Sequence, residues 1–187
     1  MTGLEDAARQ FVGVLESLRI PYAIMGGLAV RVHALPRPTF DVDFTVSLPR
    51  ESLGRLYEEA EKLGFTVPDS QLGGWVDQVH GLPVVKVQLN LSDRIIDLDV
   101  FLAETPYQRE LLQRRRRYSA EGWDGWFVTP EDLILLKLLA DRPKGRADIV
   151  DILFVQTVLD EPYLTEWAAR LGVSTQLAAA LSDRTPG

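Results

Sequence analysis

Apolar residues at Leu4, Ala7, Ala8, Phe11, Val12, Leu15 and Leu18 recur every three or four positions, which predicts an opening helix with one stripe against a core. Pro21-Tyr22-Ala23-Ile24-Met25 is short, apolar and stopped by Gly26-Gly27, the pattern of a buried strand with a turn after it. Leu28 to Leu35 predicts a short helix closed by Pro36 and Pro38. From Phe40 to Val46 the period changes to two: Phe40, Val42, Phe44 and Val46 share one face, and Asp41, Asp43 and Thr45 the other. Arg50 to Lys62 returns to a helical repeat, with Leu53, Leu56, Tyr57 and Ala60 inward, whereas Phe65 to His80 is rich in Gly, Pro and Asp and reads as irregular. Val84–Leu91 and Ile95–Leu102 are strands joined at Ser92-Asp93-Arg94. Pro106 to Arg117 predicts a helix, Trp126-Phe127-Val128 a short strand, and Pro130 opens helical sequence that runs to Leu171.

These elements predict a mixed α/β (α+β) fold, a mixed sheet flanked by helices and followed by a helical lobe. The expected division is a core over residues 1–104 and a mainly helical part over 105–187. At 187 residues, 46% hydrophobic and 25% charged, the chain can bury a sizeable core without staples and is not of disordered composition. It contains no cysteine, which excludes disulfides, thiolate metal sites and a cysteine nucleophile. No apolar run is long enough to span a membrane, and the opening MTGLEDAARQ is too acidic for a signal peptide, so the expected compartment is the cytoplasm. The net charge of −7 argues against coating of nucleic acid, since phosphate attraction needs positive charge.

The densest chemistry lies between Gly26-Gly27 and Arg37-Pro38-Thr39-Phe40-Asp41-Val42-Asp43. Carboxylates at i and i+2 of a strand project from one face and repel each other. A divalent cation between them relieves that repulsion through hard oxygen ligands. Gly-Gly at a strand-to-helix turn permits close backbone approach to a phosphate and aims helix N-terminal amides at it. Either feature alone is commonplace; a charged strand face and a tight turn would account for them.

Together they resemble the signature of the DNA polymerase β-type nucleotidyltransferase superfamily, a Gly-Gly turn followed by Arg-x-Thr-x-Asp-x-Asp. The resemblance implies that Gly26 and Gly27 hold the phosphates of an NTP, that Asp41 and Asp43 bind Mg²⁺, and that Arg37 and Thr39 shape the turn around them. It also implies a third metal carboxylate on a later strand. In Ile95-Ile96-Asp97-Leu98-Asp99-Val100-Phe101-Leu102, Asp99 is the better match because it directly precedes an apolar run, and Asp97 is the alternative. Thr129-Pro130-Glu131-Asp132-Leu133-Ile134-Leu135-Leu136-Lys137, continuing to Arg142-Pro143-Lys144-Gly145-Arg146-Ala147-Asp148, is similar to the C-terminal motif of small bacterial members that include AbiEii-type toxins. By that resemblance Lys137 meets the NTP phosphates, with Asp148 as its companion carboxylate and Asp151 as second choice. Read without the family, Lys137 is equally a surface lysine bridged to Asp141. The chain departs from the motif at Gly145, where relatives often carry an Asp.

The activity so implied is Mg²⁺-dependent transfer of a nucleoside monophosphate from an NTP to the hydroxyl of a tRNA or protein, as the toxin of a toxin–antitoxin pair. The alternatives are an antibiotic-modifying nucleotidyltransferase and a non-catalytic binding protein of the same fold. Arg114-Arg115-Arg116-Arg117 is the one basic block; it suits either a polynucleotide grip or, with more weight, a solvated helix end. His33 and His80 have no partner spacing for a metal or a triad and are expected to be structural. Trp75, Trp123, Trp126 and Trp167 are expected to serve packing.

Overall fold

The computed structural model describes residues 3–73, 75–79, 81–120 and 122–182. Helix α1 (Gly3–Ser17) buries Leu4, Ala7, Ala8, Phe11, Val12 and Leu15, as its repeat requires. The Phe11 ring lies 5.2 Å from that of Phe44 and 5.5 Å from that of Phe65, so the stripe closes on the sheet. Strand β1 (Tyr22–Met25) leads directly into α2 (Gly26–His33), and β2 (Asp41–Val46) returns antiparallel to β1. After α3 (Leu53–Glu61) come β3 (Phe65–Thr66), a single turn α4 (Asp69–Leu72), β4 (Asp77–Val79), β5 (Leu82–Asn90) and β6 (Ile95–Leu102). Helix α5 (Pro106–Arg114) opens on a capping box, Thr105 with Gln108, and is followed by β7 (Arg116–Ala120) and β8 (Trp123–Phe127).

One mixed sheet results, in the order β3-β5-β6-β2-β1-β8-β7, with β4 also paired to β5. Strands β2 and β6 run parallel, as do β1 and β8, and the other pairings are antiparallel. The β2–β6 register sets Asp41 opposite Asp97 and Asp43 opposite Asp99. Val42, Phe44 and Val46 of β2 are fully buried on the face that α1 covers. Successive residues alternate faces, so the carboxylates lie on the other side. The end of that side is roofed by α6 (Pro130–Ala140) and α7 (Pro143–Val155), after which α8 (Glu161–Leu171) and α9 (Ser174–Ser182) complete the chain. Among the described residues no helix is long and apolar enough to cross a membrane.

Several expectations are corrected. Phe40 is not inward with Val42: β2 starts one residue later, and Phe40 is 80% exposed. The segment from Phe65 onward carries β3, α4 and β4, because backbone pairing to β5 orders a sequence of poor intrinsic pattern. The helix that starts at Pro106 stops at Arg114, and the arginine block crosses into β7. The helical run after Pro130 is broken at Asp141, which is left-handed with φ 43°, and again before the Asp160 N-cap of α8. Trp75 is 61% exposed rather than packed, whereas Trp167 lies in the core and Trp123 and Trp126 are half-buried against it. His33 is buried with Nε2 2.7 Å from the Val128 carbonyl and its ring edge-on to Tyr118, and burial lowers its pKa; it is structural, as expected. His80 falls outside the described residues.

Candidate active site

Met25 pairs with Asp43 across β1–β2, so the turn into α2 begins beside that carboxylate. Gly26 has φ +61°, and a Cβ there would fall 1.8 Å from Asp43 Oδ2; a Cβ on Gly27 would fall 2.2 Å from Thr39 Oγ1. The two glycines are thus demanded by the side chains they face, whatever else the turn holds. Thr39, buried just ahead of β2, donates its hydroxyl to Asp41 Oδ1 at 2.9 Å.

Asp43 is half-buried, with exposed Asp41 on its own strand and Asp99 beside it on β6. Burial first, and then the charges of Asp41 and Asp99, push its carboxyl up to about 7, against the pull of Lys137 and Arg142. Among the described residues no cation is ion-paired with Asp41 or Asp43, whereas Asp99 Oδ1 accepts from Lys86 Nζ at 3.0 Å. Asp97 lies on the same face one register step out, accepts from Gln88 Nε2 at 2.7 Å, and does not line the cavity.

The opposite wall is cationic. Lys137 projects from α6 and donates to Asp148 Oδ2 of α7 at 2.6 Å. Arg37, from the loop before β2, grips the same carboxylate with both arms: Nε reaches Oδ1, and Nη2 reaches Oδ2 at 2.6 Å. Burial raises the pKa of Asp148, but hydrogen bonds from Arg37 and Lys137 outweigh it and hold the carboxyl below its usual range. Lys137 is shifted down, chiefly by burial, against the support of Asp148. Its partner is therefore Asp148 rather than Asp141, which pairs with Arg146 at 2.7 Å. Asp151 does not line the cavity. Gly145 does, and a Cβ there would meet Lys137 at 3.6 Å, ordinary contact, so a methyl group fits at this position.

Between these walls is a cavity of about 470 Å³, lined by Gly26, Gly27, Asp41, Asp43 and Asp99 on one side and by Lys137, Arg142 and Lys144 on the other. That volume suits a nucleotide-sized ligand. Among the described residues no three His, Asp or Glu side chains already form a cage that could hold a metal ion. The donor chemistry nonetheless suits a hard divalent cation: Asp41, Asp43 and Asp99 on paired strands line one cavity, and the mutual repulsion that raises Asp43 is the kind a cation would relieve. Lys86 was given no role from the sequence, nor were Arg142 and Lys144 of the lining; the alternation of Lys86 with buried Val85 and Val87 is visible there, but its position opposite Asp99 depends on strand register.

The arginine block stands apart from this cavity. Arg114 lies 3.4–3.7 Å from Glu131, Asp132 and Asp160, with its guanidinium 3.7 Å from the centre of the Tyr163 ring. Arg115 lies over Trp126, and Arg117 is 3.7 Å from Asp124. The first two are packing residues of the lobe rather than a solvated helix end.

Comparison with solved structures places this architecture. The chain is similar to an antigenic nucleotidyltransferase-like protein from Paracoccidioides brasiliensis, with a TM-score of 0.56 and 21% identity over 94% of this chain and 91% of that one. It is similar to ANT(2'')-Ia in complex with adenylyl-2''-tobramycin, with a TM-score of 0.57 and 16% identity over 92% and 98% of the two chains. It is also similar to the lincosamide antibiotic adenylyltransferase LnuA, lincomycin-bound, with a TM-score of 0.54 and 12% identity over 81% and 98%. The chain therefore has the nucleotidyltransferase fold. No family model and no curated protein matches it by sequence.

Proposed function

We propose that the protein is a nucleotidyltransferase that moves a nucleoside monophosphate from an NTP to an acceptor hydroxyl. The observation that carries this reading is the polarity of this cavity, with Asp41, Asp43 and Asp99 facing Lys137 across it. In the reaction the acceptor oxygen bonds to the α-phosphorus as the bond to the pyrophosphate oxygen breaks. Asp41 and Asp43, with Asp99, would hold Mg²⁺, which when bound neutralises phosphate charge and makes the acceptor hydroxyl easier to deprotonate. Lys137 meets the negative charge that collects on the leaving pyrophosphate, and Asp148, fixed by Arg37, sets where its ammonium points. Gly26 and Gly27 leave room for Asp43 and Thr39 against the turn, and the motif resemblance gives their backbone the phosphates. In this division residues 1–104 supply the carboxylates and residues 105–187 supply Lys137 and the cover over the nucleotide.

For the acceptor, the AbiEii-like motif favours a tRNA or a protein, with a cognate antitoxin as partner. The packing of Arg114 and Arg115 inside the lobe removes half of the block that would have gripped a polynucleotide. That observation, with two antibiotic adenylyltransferases among the similar folds, gives weight to a second reading: a small hydroxylated acceptor. Incubation with each α-labelled NTP and Mg²⁺, offered total tRNA, the protein itself or a panel of hydroxylated antibiotics, tests both. Label in any acceptor with release of pyrophosphate supports transfer, and the labelled species names the class. No label in any arm, with no nucleotide bound, would leave a binding protein of this fold.

A further inference from the structure

Lys86 belongs to none of the motifs, yet it stands at the third carboxylate. Strand β5 pairs antiparallel with β6 in a register that sets Lys86 opposite Asp99, and Lys86 Nζ donates to Asp99 Oδ1 at 3.0 Å. Asp99 is 22% exposed and Lys86 44%, and both line the cavity. The backbone at this point is pinned as well. Strand β4 pairs with β5 only through Val84, and β3 only from Gln88, which leaves the amide of Lys86 without a strand neighbour on that edge. The buried side chain of Gln71 fills the gap, its Oε1 accepting from Lys86 N at 2.7 Å. The lysine is thereby held at the one place on β5 from which its ammonium reaches Asp99. Asp41 and Asp43 have no such partner among the described residues; the only hydrogen bond to either carboxylate comes from the Thr39 hydroxyl.

We propose that Lys86 is a built-in counter-cation that divides the three carboxylates, leaving Asp41 and Asp43 open to a divalent ion while reserving Asp99 with its own positive charge. The proposal rests on the nucleotidyltransferase reading of the cavity. Its consequence is competition: a divalent ion using Asp99 must displace an ammonium already bonded to it, and repulsion from that ammonium weakens ion binding at the adjacent pair. Free protein accordingly takes up a single divalent ion, and Asp99 becomes available only when Lys86 swings toward other anionic partners such as the phosphates of a bound nucleotide.

The test uses Mn²⁺ alone and the full chain, with free Mn²⁺ followed by electron paramagnetic resonance and folding checked by melting. The parent is expected to bind one Mn²⁺, and Asp43→Asn to lose it. Lys86→Met should bind that ion about tenfold more tightly and gain a second, because the ammonium has gone. Lys86→Arg, which keeps the charge, should behave as the parent. Parental affinity and stoichiometry in Lys86→Met, with the parent binding normally, would overturn the role of Lys86 and leave the transferase reading standing. Failure of both parent and Lys86→Met to bind Mn²⁺ would overturn the carboxylate site itself, and Lys86 with it.

Discussion

Asp43 and Asp148 are both drawn into the protein at opposite walls of one cavity, yet their carboxyl groups are driven in opposite directions. Asp43 keeps company with Asp41 and Asp99 and is pushed up to about 7; Asp148 is clasped by Arg37 and Lys137 and is held low. Burial acts upward on both, so the neighbours decide. On the strand wall only Asp99 has a cationic partner, Lys86, while on the helical wall Arg37 and Lys137 share the single carboxylate of Asp148 and leave that side net positive. A cavity polarised in this way suits a ligand that is anionic at one end and arrives with a metal at the other.

The largest effect should come from the strand wall. Asp43→Asn is expected to reduce nucleotidyl transfer by more than about 10³-fold in a pyrophosphate-release assay, since it removes a hard anionic ligand. The same variant should be more stable than the metal-free parent. Because the folded-state pKa of Asp43 is raised, its contribution to stability is fully present below about pH 4 and is lost as the pH rises toward 7. The melting advantage of Asp43→Asn should therefore grow steadily across that window. An advantage that is absent or constant with pH would show that the wall is not charge-strained.

On the helical wall the sign reverses. Asp148→Asn leaves the Arg37 and Lys137 cations facing each other without their shared anion, and should cost about 3 kcal/mol, or about 6–12 °C in Tm. A neutral result would mean that the clasp does not join the lobe to the core. Gly26→Ala should cost about 1–2 kcal/mol by urea denaturation and most of the activity, because an alanine at φ +61° is strained and its Cβ would strike Asp43 Oδ2. Gly145→Ala stands at the small end: with its Cβ in ordinary contact with Lys137 it should raise stability by about 0.5–1 kcal/mol, and a loss would show that the helix there does not accept even a methyl.

Much of the strand wall was legible because local rules govern it. Period two placed Asp41 and Asp43 on one face; between Asp99 and Asp97 the residues alone left the choice open, the family resemblance preferred Asp99, and of the two only Asp99 lines the cavity. Phe40 misled for the same reason: the alternation continued one residue beyond the hydrogen bonding that makes a strand. The helical wall was legible only in part. Lys137 was conspicuous in an apolar helix and the resemblance named Asp148 as its companion, but the grip of Arg37 on that carboxylate spans 111 positions and depends on packing that no short pattern encodes. Strand β7 escaped notice because Arg116 and Arg117 continue a charged helical stretch, and only pairing with β8 makes them extended. Lys86 was hidden by register.

The most direct measurement is a crystal soaked with Mn²⁺ and a non-hydrolysable ATP analogue, read by anomalous scattering. The account predicts a manganese peak within coordination distance of Asp41 and Asp43, with the triphosphate spanning the cavity and its terminal phosphates against Lys137. A manganese peak elsewhere, or a nucleotide that binds without touching Asp41 and Asp43, would contradict it.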